Sequence, residues 1–246
     1  MLSFNYSIFI HSTSHFFSLT GSGAISAFAI GFITLHFPPQ FATALLFFYF
    51  SSTFLTKLSL RARGLQPVKH ARNHWQVLAT AGPPTLALLL LPHDPVWPLY
   101  FAYYACGNGD TWASEVGSCG KHILPKSYKF LARPYLVTSL KACPVGTNGG
   151  ISILGTVASS LGGMALGAAC SLALPQPSFG SFLNLSAWGA VIGSLGSFID
   201  SVLGALLQIS YAQKSGKRIA GRDILSNEQV NLVSSLLTCV FVHFWK

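Results

Sequence analysis

The sequence predicts an all-α fold, a polytopic membrane helix bundle of about six to seven short transmembrane helices, and three observations predict it. Of the 246 residues, 51% are hydrophobic and only 9% charged, against about 25% charged in ordinary soluble domains. Thirteen prolines and 23 glycines punctuate the apolar stretches. Such residues damage soluble helices, whereas in a membrane the neighbouring helices re-satisfy the backbone groups they free. The third observation is that the positive charge is confined to a few loops.

Seven apolar stretches follow in order. The first, 16–35, ends at His36-Phe37-Pro38-Pro39, and the second, 41–55, ends at a basic run that starts with Lys57. The third, 75–91, contains Gly82-Pro83-Pro84, which is expected to kink or break it. The fourth, 95–113, closes in a glycine-rich acidic string; the fifth, 149–174, and sixth, 187–211, are long and apolar; the seventh, 230–245, is short. The second, third and seventh fall below the ~20 residues of a straight span, so half-spans or re-entrant elements compete there. Residues 1–17 are an N-terminal segment that reads as an incomplete first helix and lacks the lysine or arginine flank of a signal or transit peptide. Residues 18–246 read as a single transmembrane domain. Five cysteines, odd in number and without a C-x-x-C pair, suggest neither a disulfide framework nor a zinc site.

All but one of the 15 basic residues fall in three loops. The first holds Lys57, Arg61, Arg63, Lys69 and Arg72; the second Lys121, Lys126, Lys129, Arg133 and Lys141; the third Lys214, Lys217, Arg218 and Arg222. If each stretch crosses once, two crossings separate successive basic loops, and all three emerge on one face. The positive-inside rule makes that face cytoplasmic or stromal. On the opposite side, Asn184-Leu185-Ser186 is a glycosylation acceptor sequence, while Asn5-Tyr6-Ser7 falls on the basic side. Anionic lipid and topology alone account for basic loops. The charge thus belongs to membrane-flanking segments, and nucleic acid binding is not expected despite the basic balance.

Only six acids are present, and two lie in Gly107-Asn108-Gly109-Asp110-Thr111-Trp112-Ala113-Ser114-Glu115-Val116-Gly117, beside the second basic loop. An ionisable residue at membrane depth is a functional candidate because its burial is costly. Five residues of regular helix turn about 140°, so Asp110 and Glu115 do not share an ideal helix face. Gly107 and Gly109 are expected to loosen the backbone, and a carboxylate beside an unwound segment suits magnesium, which borrows ligands from phosphates and water. Asp200 interrupts the uncharged sixth stretch on its basic-loop half and is the third candidate. For each acid the alternative is a structural one: a hydrogen bond or ion pair to a neighbouring helix, Lys57 being a possible partner for Asp200.

Pro144-Val145-Gly146-Thr147-Asn148-Gly149-Gly150 opens the fifth stretch at an expected helix N-terminus, where free backbone N–H groups face an anion. Gly155, Gly162, Gly163 and Gly167 beyond it are assigned to helix packing. Asn227 and Asn231, one turn apart, share a face, with Ser226 a reasonable N-cap before them. His70 and His74 are four apart but lack the carboxylate that would complete a metal site.

The Gly109–Gly117 string, followed by Pro144–Gly150 and Ile199-Asp200-Ser201-x-x-Gly204-Ala205, resembles the transmembrane protein 19 family in order and spacing. Supporting matches are Ser22-Gly23-Ala24, Leu55-Thr56-Lys57, Arg72-Asn73-x-x-Gln76-Val77 and Asn227-x-x-x-Asn231-Leu232-x-Ser234-Ser235. Departures are Ala81-Gly82 where that family has Asn-Gly, and Ser118 where it commonly has proline. The family includes phytyl-phosphate kinases, and its Gly-Asp-x-x-Ala element looks like one in nucleotide-dependent kinases for phytol and dolichol. The resemblance implies an enzyme that converts an isoprenoid monophosphate to the diphosphate, with CTP or another nucleoside triphosphate as donor. It implies Asp110, Glu115 and Asp200 as catalytic residues and magnesium ligands. It further implies substrate and phosphate contacts from Lys57, Arg72, Asn73, Gly146, Thr147, Asn148, Gly149, Arg222, Asn227 and Asn231. The same residues also suit a carrier or channel for an anionic or phosphorylated solute, and a non-enzymatic structural role requires only that the acids pair internally. In every case the lipid bilayer is the partner.

Overall fold

A computed structural model describes residues 19–65, 72–91, 93–211 and 218–244. The segment 1–17 with Asn5, and Lys69, His70, Lys214, Lys217 and Lys246, lie outside the described residues. Seven α-helices are present among the described residues: α1 Gly21–Thr34, α2 Pro39–Ala62, α3 His74–Leu90, α4 His93–Ile123, α5 Ile153–Leu172, α6 Phe179–Leu207 and α7 Asn227–Phe244. Two short antiparallel pairs decorate one end: β1 Tyr135–Leu136 with β2 Gly150–Ile151, and β3 Ser210–Tyr211 with β4 Arg218–Ala220.

The helix starts are set by local chemistry. Thr20 caps α1 by accepting from the Gly23 amide, Pro39 opens α2, and Ser152 caps α5. Reciprocal capping boxes start α3 (Asn73 with Gln76), α6 (Ser178 with Ser181) and α7 (Ser226 with Gln229).

At the centre α4, α5 and α6 pack on one another, with α2 and α7 laid against α4 and the α1–α3 pair outermost. The central contacts are backbone against backbone. A Cβ at Gly109 of α4 would stand 2.6 Å from the Gly193 Cα of α6, and Gly163 and Gly167 of α5 meet Gly189 and Leu185 of α6 equally closely. Packing, as expected, is what these small residues serve. The half of the bundle away from the basic loops is filled by aromatics, with Phe41 edge-on to Trp97 and Tyr100. Large apolar side chains such as Phe28, Leu89, Val191 and Phe244 point outward, which suits a lipid solvent.

Several expectations are corrected. α2 continues for 24 residues to Ala62, carrying Lys57 and Arg61 on the helix itself, and α4 runs 31 residues to Ile123. The backbone is therefore regular helix through Gly107 and Gly109, not loosened, because Gly109 is fixed by its contact with Gly193. Nor do Pro83 and Pro84 break α3. Pro83 has no N–H for the Ala79 carbonyl, and the Tyr103 hydroxyl of α4 donates to that oxygen at 3.4 Å. Asn184 lies inside α6 with Ser186 buried, so the acceptor sequence is not in a loop. Finally, 144–150 is a turn and not a helix N-terminus, since α5 starts at Ile153.

α2, α6 and α4 end, and α3, α5 and α7 begin, at the same end of the bundle. The Arg72 carbonyl accepts from the Thr20 amide, Ile224 is tied to Leu207, and Thr56 reaches Glu115. The described parts of all three basic segments thus emerge together, as the charge pattern predicts.

Candidate functional site

Beneath that basic end lies a cavity of about 460 Å³ whose wall includes Asp110, Glu115, Asp200, Arg72, Asn227 and Asn231. Asp110 is carried by α4 and receives a hydrogen bond from Ser197 of α6, at 3.1 Å on Oδ1. Asp200 is carried by α6 and receives one from Ser234 of α7, at 3.0 Å on Oδ2. With the Asn231 amide oriented to satisfy its neighbours, its nitrogen donates to Asp200 Oδ2 at 3.1 Å and to the Asn227 carbonyl at 3.1 Å. Helices α4, α6 and α7 are therefore laced together through the two aspartates.

Glu115 lies on the same cavity wall, 140° of helix turn notwithstanding, because the cavity wraps around α4. Its side chain faces α2, where Thr56 donates to Oε1 at 2.7 Å and Ser59 donates to its main-chain carbonyl at 3.2 Å. Among the described residues no three His, Cys, Asp or Glu side chains converge as a metal site. Glu115 thus does not complete a three-carboxylate cage with Asp110 and Asp200.

The 144–150 turn adds to the wall, contributing Gly146, Thr147, Asn148 and Gly149. Its shape is fixed by glycines with positive φ, 85° at Gly146 and 76° at Gly149. Gly149 also packs against the Ser201 carbonyl and Ala205 so closely that no Cβ fits. Asn148 is anchored: its backbone amide donates to Ser210 Oγ at 3.0 Å and its side chain to the Ile209 carbonyl at 3.2 Å. Thr147 turns its hydroxyl to the Pro144 carbonyl at 2.8 Å.

Three implied contacts lie elsewhere. Asn73 is the N-cap of α3, accepting from the Gln76 amide at 3.1 Å. Lys57 sits half-buried on α2 and Arg222 is exposed in the turn after β4; neither lines the cavity. His74 bonds Ser22 across the α1–α3 contact.

Ser197 and Ser234, the two hydroxyls that hold the aspartates, are not among the residues expected from the sequence. Spacing was the available signal: Ser197 precedes Asp200 by three residues and Ser234 follows Asn231 by three, one helix face in each case.

A layer of buried polar contacts supports the site from below. Asn108 takes a 2.6 Å hydrogen bond from Ser51 and donates to the Gly162 carbonyl at 2.7 Å, joining α2, α4 and α5.

The profile described as integral membrane protein DUF92 matches residues 6–239. The chain belongs to the DUF92 family. Protein PGR of Arabidopsis thaliana is 32% identical to it over 267 residues, covering 90% of this chain and 86% of that protein. An uncharacterized membrane protein of Methanocaldococcus jannaschii is 27% identical over 223 residues, 89% of this chain and 82% of its own length. One from Synechocystis is 31% identical over 175 residues, 67% of this chain and 55% of its own length. No solved structure matches. DUF92 membership makes the chain an integral membrane protein, as composition predicted, and the resemblance to the transmembrane protein 19 family accords with it. Among the described residues three helices, α2, α5 and α6, are by themselves long and apolar enough to cross a membrane.

Proposed function

We propose that this DUF92 protein is a membrane-embedded phosphotransferase that uses a nucleoside triphosphate, with CTP the favoured donor, to convert an isoprenoid monophosphate to its diphosphate. One observation carries the reading: Asp110 and Asp200, from different helices, meet on the wall of a cavity at the basic end, each held by neutral hydroxyl or amide donors. Both carboxylates keep hard oxygen donors toward the cavity, which fits magnesium better than a softer metal. Asp110 and Asp200 would hold the ion, and when bound it supplies charge neutralisation for the transferring phosphoryl group.

The remaining work falls to the chain. Arg72 and the 144–150 turn line the same cavity as the carboxylates and position anionic oxygens there. A terminal oxygen of the lipid phosphate attacks the γ-phosphorus, the bond from that phosphorus to the β–γ bridging oxygen breaks, and the nucleoside diphosphate leaves. Catalysis is then mainly alignment and neutralisation. The basic end is the cytoplasmic or stromal face, where the nucleotide is supplied.

The carrier reading is favoured by a different feature. Gln40 and Ser186, in the half away from the basic end, bury side-chain oxygens with no hydrogen-bond partner among the described residues, which is polarity where a path across the bundle would need it.

The test is to incubate purified protein with magnesium, each of CTP, ATP, UTP and GTP, and phytyl, farnesyl and geranylgeranyl monophosphates, scoring diphosphate products. Product that requires nucleotide and disappears in Asp110→Asn supports the kinase. Well-folded protein that makes none, but moves a phosphorylated solute across vesicles without consuming nucleotide, replaces it with the carrier.

A further inference from the structure

Asp110 and Asp200 line a second cavity as well. This smaller space, about 50 Å³, shares Asp110, Thr111, Asp200 and Asn231 with the 460 Å³ chamber and is lined besides by residues of α3 and α7 that the chamber does not touch. Its outer wall is made by α3, through Ala79 and Thr80, and by α7, through Glu228, Asn231 and Leu232. Thr80 and Glu228 line it and are also exposed. The small cavity is therefore a cleft that opens sideways between α3 and α7.

Its depth and polarity are informative. Thr80 is six residues into α3 and Asn231 four into α7, so the opening lies roughly 6–9 Å below the helix ends at 1.5 Å per residue. With the helix ends at the headgroup surface, that depth reaches the boundary between headgroups and hydrocarbon. The Ala79 carbonyl is taken by Tyr103, whereas Pro84 has no N–H for the Thr80 carbonyl, which leaves an acceptor oxygen at this residue of the wall. Deeper along the same two helices the surface is apolar, with Leu86 and Leu89 on α3 and Leu236 and Leu237 on α7 exposed. Polar groups inside and aliphatic groups outside match an amphiphile lying half in the protein.

We infer that the α3–α7 cleft is a lateral entrance through which a phosphorylated lipid brings its headgroup to Asp110 and Asp200 while its apolar chain stays in the bilayer along α3 and α7. This rests on the kinase reading for the identity of the headgroup. It adds that the chain is not enclosed, so the protein selects the phosphorylated end and not the length of the tail.

The experiment uses a farnesyl monophosphate with a diazirine at the end of its chain, in phosphatidylcholine vesicles containing the full-length protein and magnesium. After irradiation, adducts are mapped by mass spectrometry. Adducts are expected on the outward residues of α3 and α7, competed by unlabelled farnesyl monophosphate but not by farnesol. Thr80→Trp, which fills the opening, should lower them roughly tenfold or more, while Leu161→Trp, on the exposed face of α5 away from the cleft, leaves them unchanged. Leu232→Phe serves if Thr80→Trp does not fold. Adducts spread evenly around the bundle, adducts within 145–151, no adducts, or indifference to both plugging variants each overturn the entrance. Because labelling needs no turnover, the two readings separate. Diphosphate formation unaffected by Thr80→Trp keeps the kinase and removes the entrance. Plug-sensitive adducts on a protein that makes no diphosphate do the reverse.

Discussion

Ser234 of α7 donates its hydroxyl to Asp200 of α6 at 3.0 Å, so a side chain from the last helix holds a carboxylate that faces the cavity. Hydrogen bonds that orient a metal-binding group typically contribute 10–100-fold to metal affinity. In Ser234→Ala, the magnesium concentration for half-maximal diphosphate formation is expected to rise roughly tenfold with little change in thermal stability. An unchanged magnesium dependence would take Asp200 out of the metal site.

The two aspartates and the glutamate should behave differently. Asp110→Asn and Asp200→Asn keep shape and remove charge, and each is expected to lower turnover by about 100-fold or more while folded yield is retained. Glu115→Gln can still accept from Thr56 and should lose less than about tenfold. Purified variants assayed at equal folded concentration decide the matter. Loss of folded protein in the Asp variants would instead point to a structural pair whose disruption leaves a buried charge.

Asn73 caps α3 and does not face the cavity. Asn73→Ala should cost about 1 kcal/mol of stability, read as a lower unfolding temperature in detergent, with turnover per folded molecule unchanged. A selective rise in KM would restore it to the substrate contacts.

Gly109 and Gly107 differ by two residues and by what they touch. A Cβ at Gly109 meets the Gly193 backbone at 2.6 Å, whereas one at Gly107 meets the Phe48 ring at 3.3 Å. Gly109→Ala is expected to destabilise by about 1–3 kcal/mol, and Gly107→Ala by clearly less, because a ring can shift where a backbone cannot. Thermal unfolding of the two variants side by side tests the ordering.

Much of this architecture was legible because membranes write it in charge. Lysines and arginines separated by pairs of stretches without either residue placed the basic segments at one end, where Thr56, Arg72, Gly149 and Asn227 line one cavity. The helix lengths were harder to read. Gly107, Gly109, Pro83 and Pro84 look like breakers within a single segment, and the features that keep the helices continuous, Gly193 and Tyr103, lie on other helices. The aspartates stood out because charge is scarce; the serines that hold them did not, since serine is common and its hydroxyl bonds its own helix as readily as a neighbour's. Glu115 was grouped with Asp110 by proximity along the chain, yet the fold turns it toward α2.

The hydrogen bond from Tyr103 to the Ala79 carbonyl also bears on how the molecule is made. α3 precedes α4 in the chain, so when α3 first enters the bilayer its Ala79 oxygen lacks both the amide that Pro83 cannot supply and the phenol that has yet to be synthesised. An unpaired carbonyl in hydrocarbon is costly, and α3 gains a settled position only once α4 is beside it. Insertion is thus expected to pass through a provisional stage, in which α3 stays near the water boundary until the helix that follows it arrives.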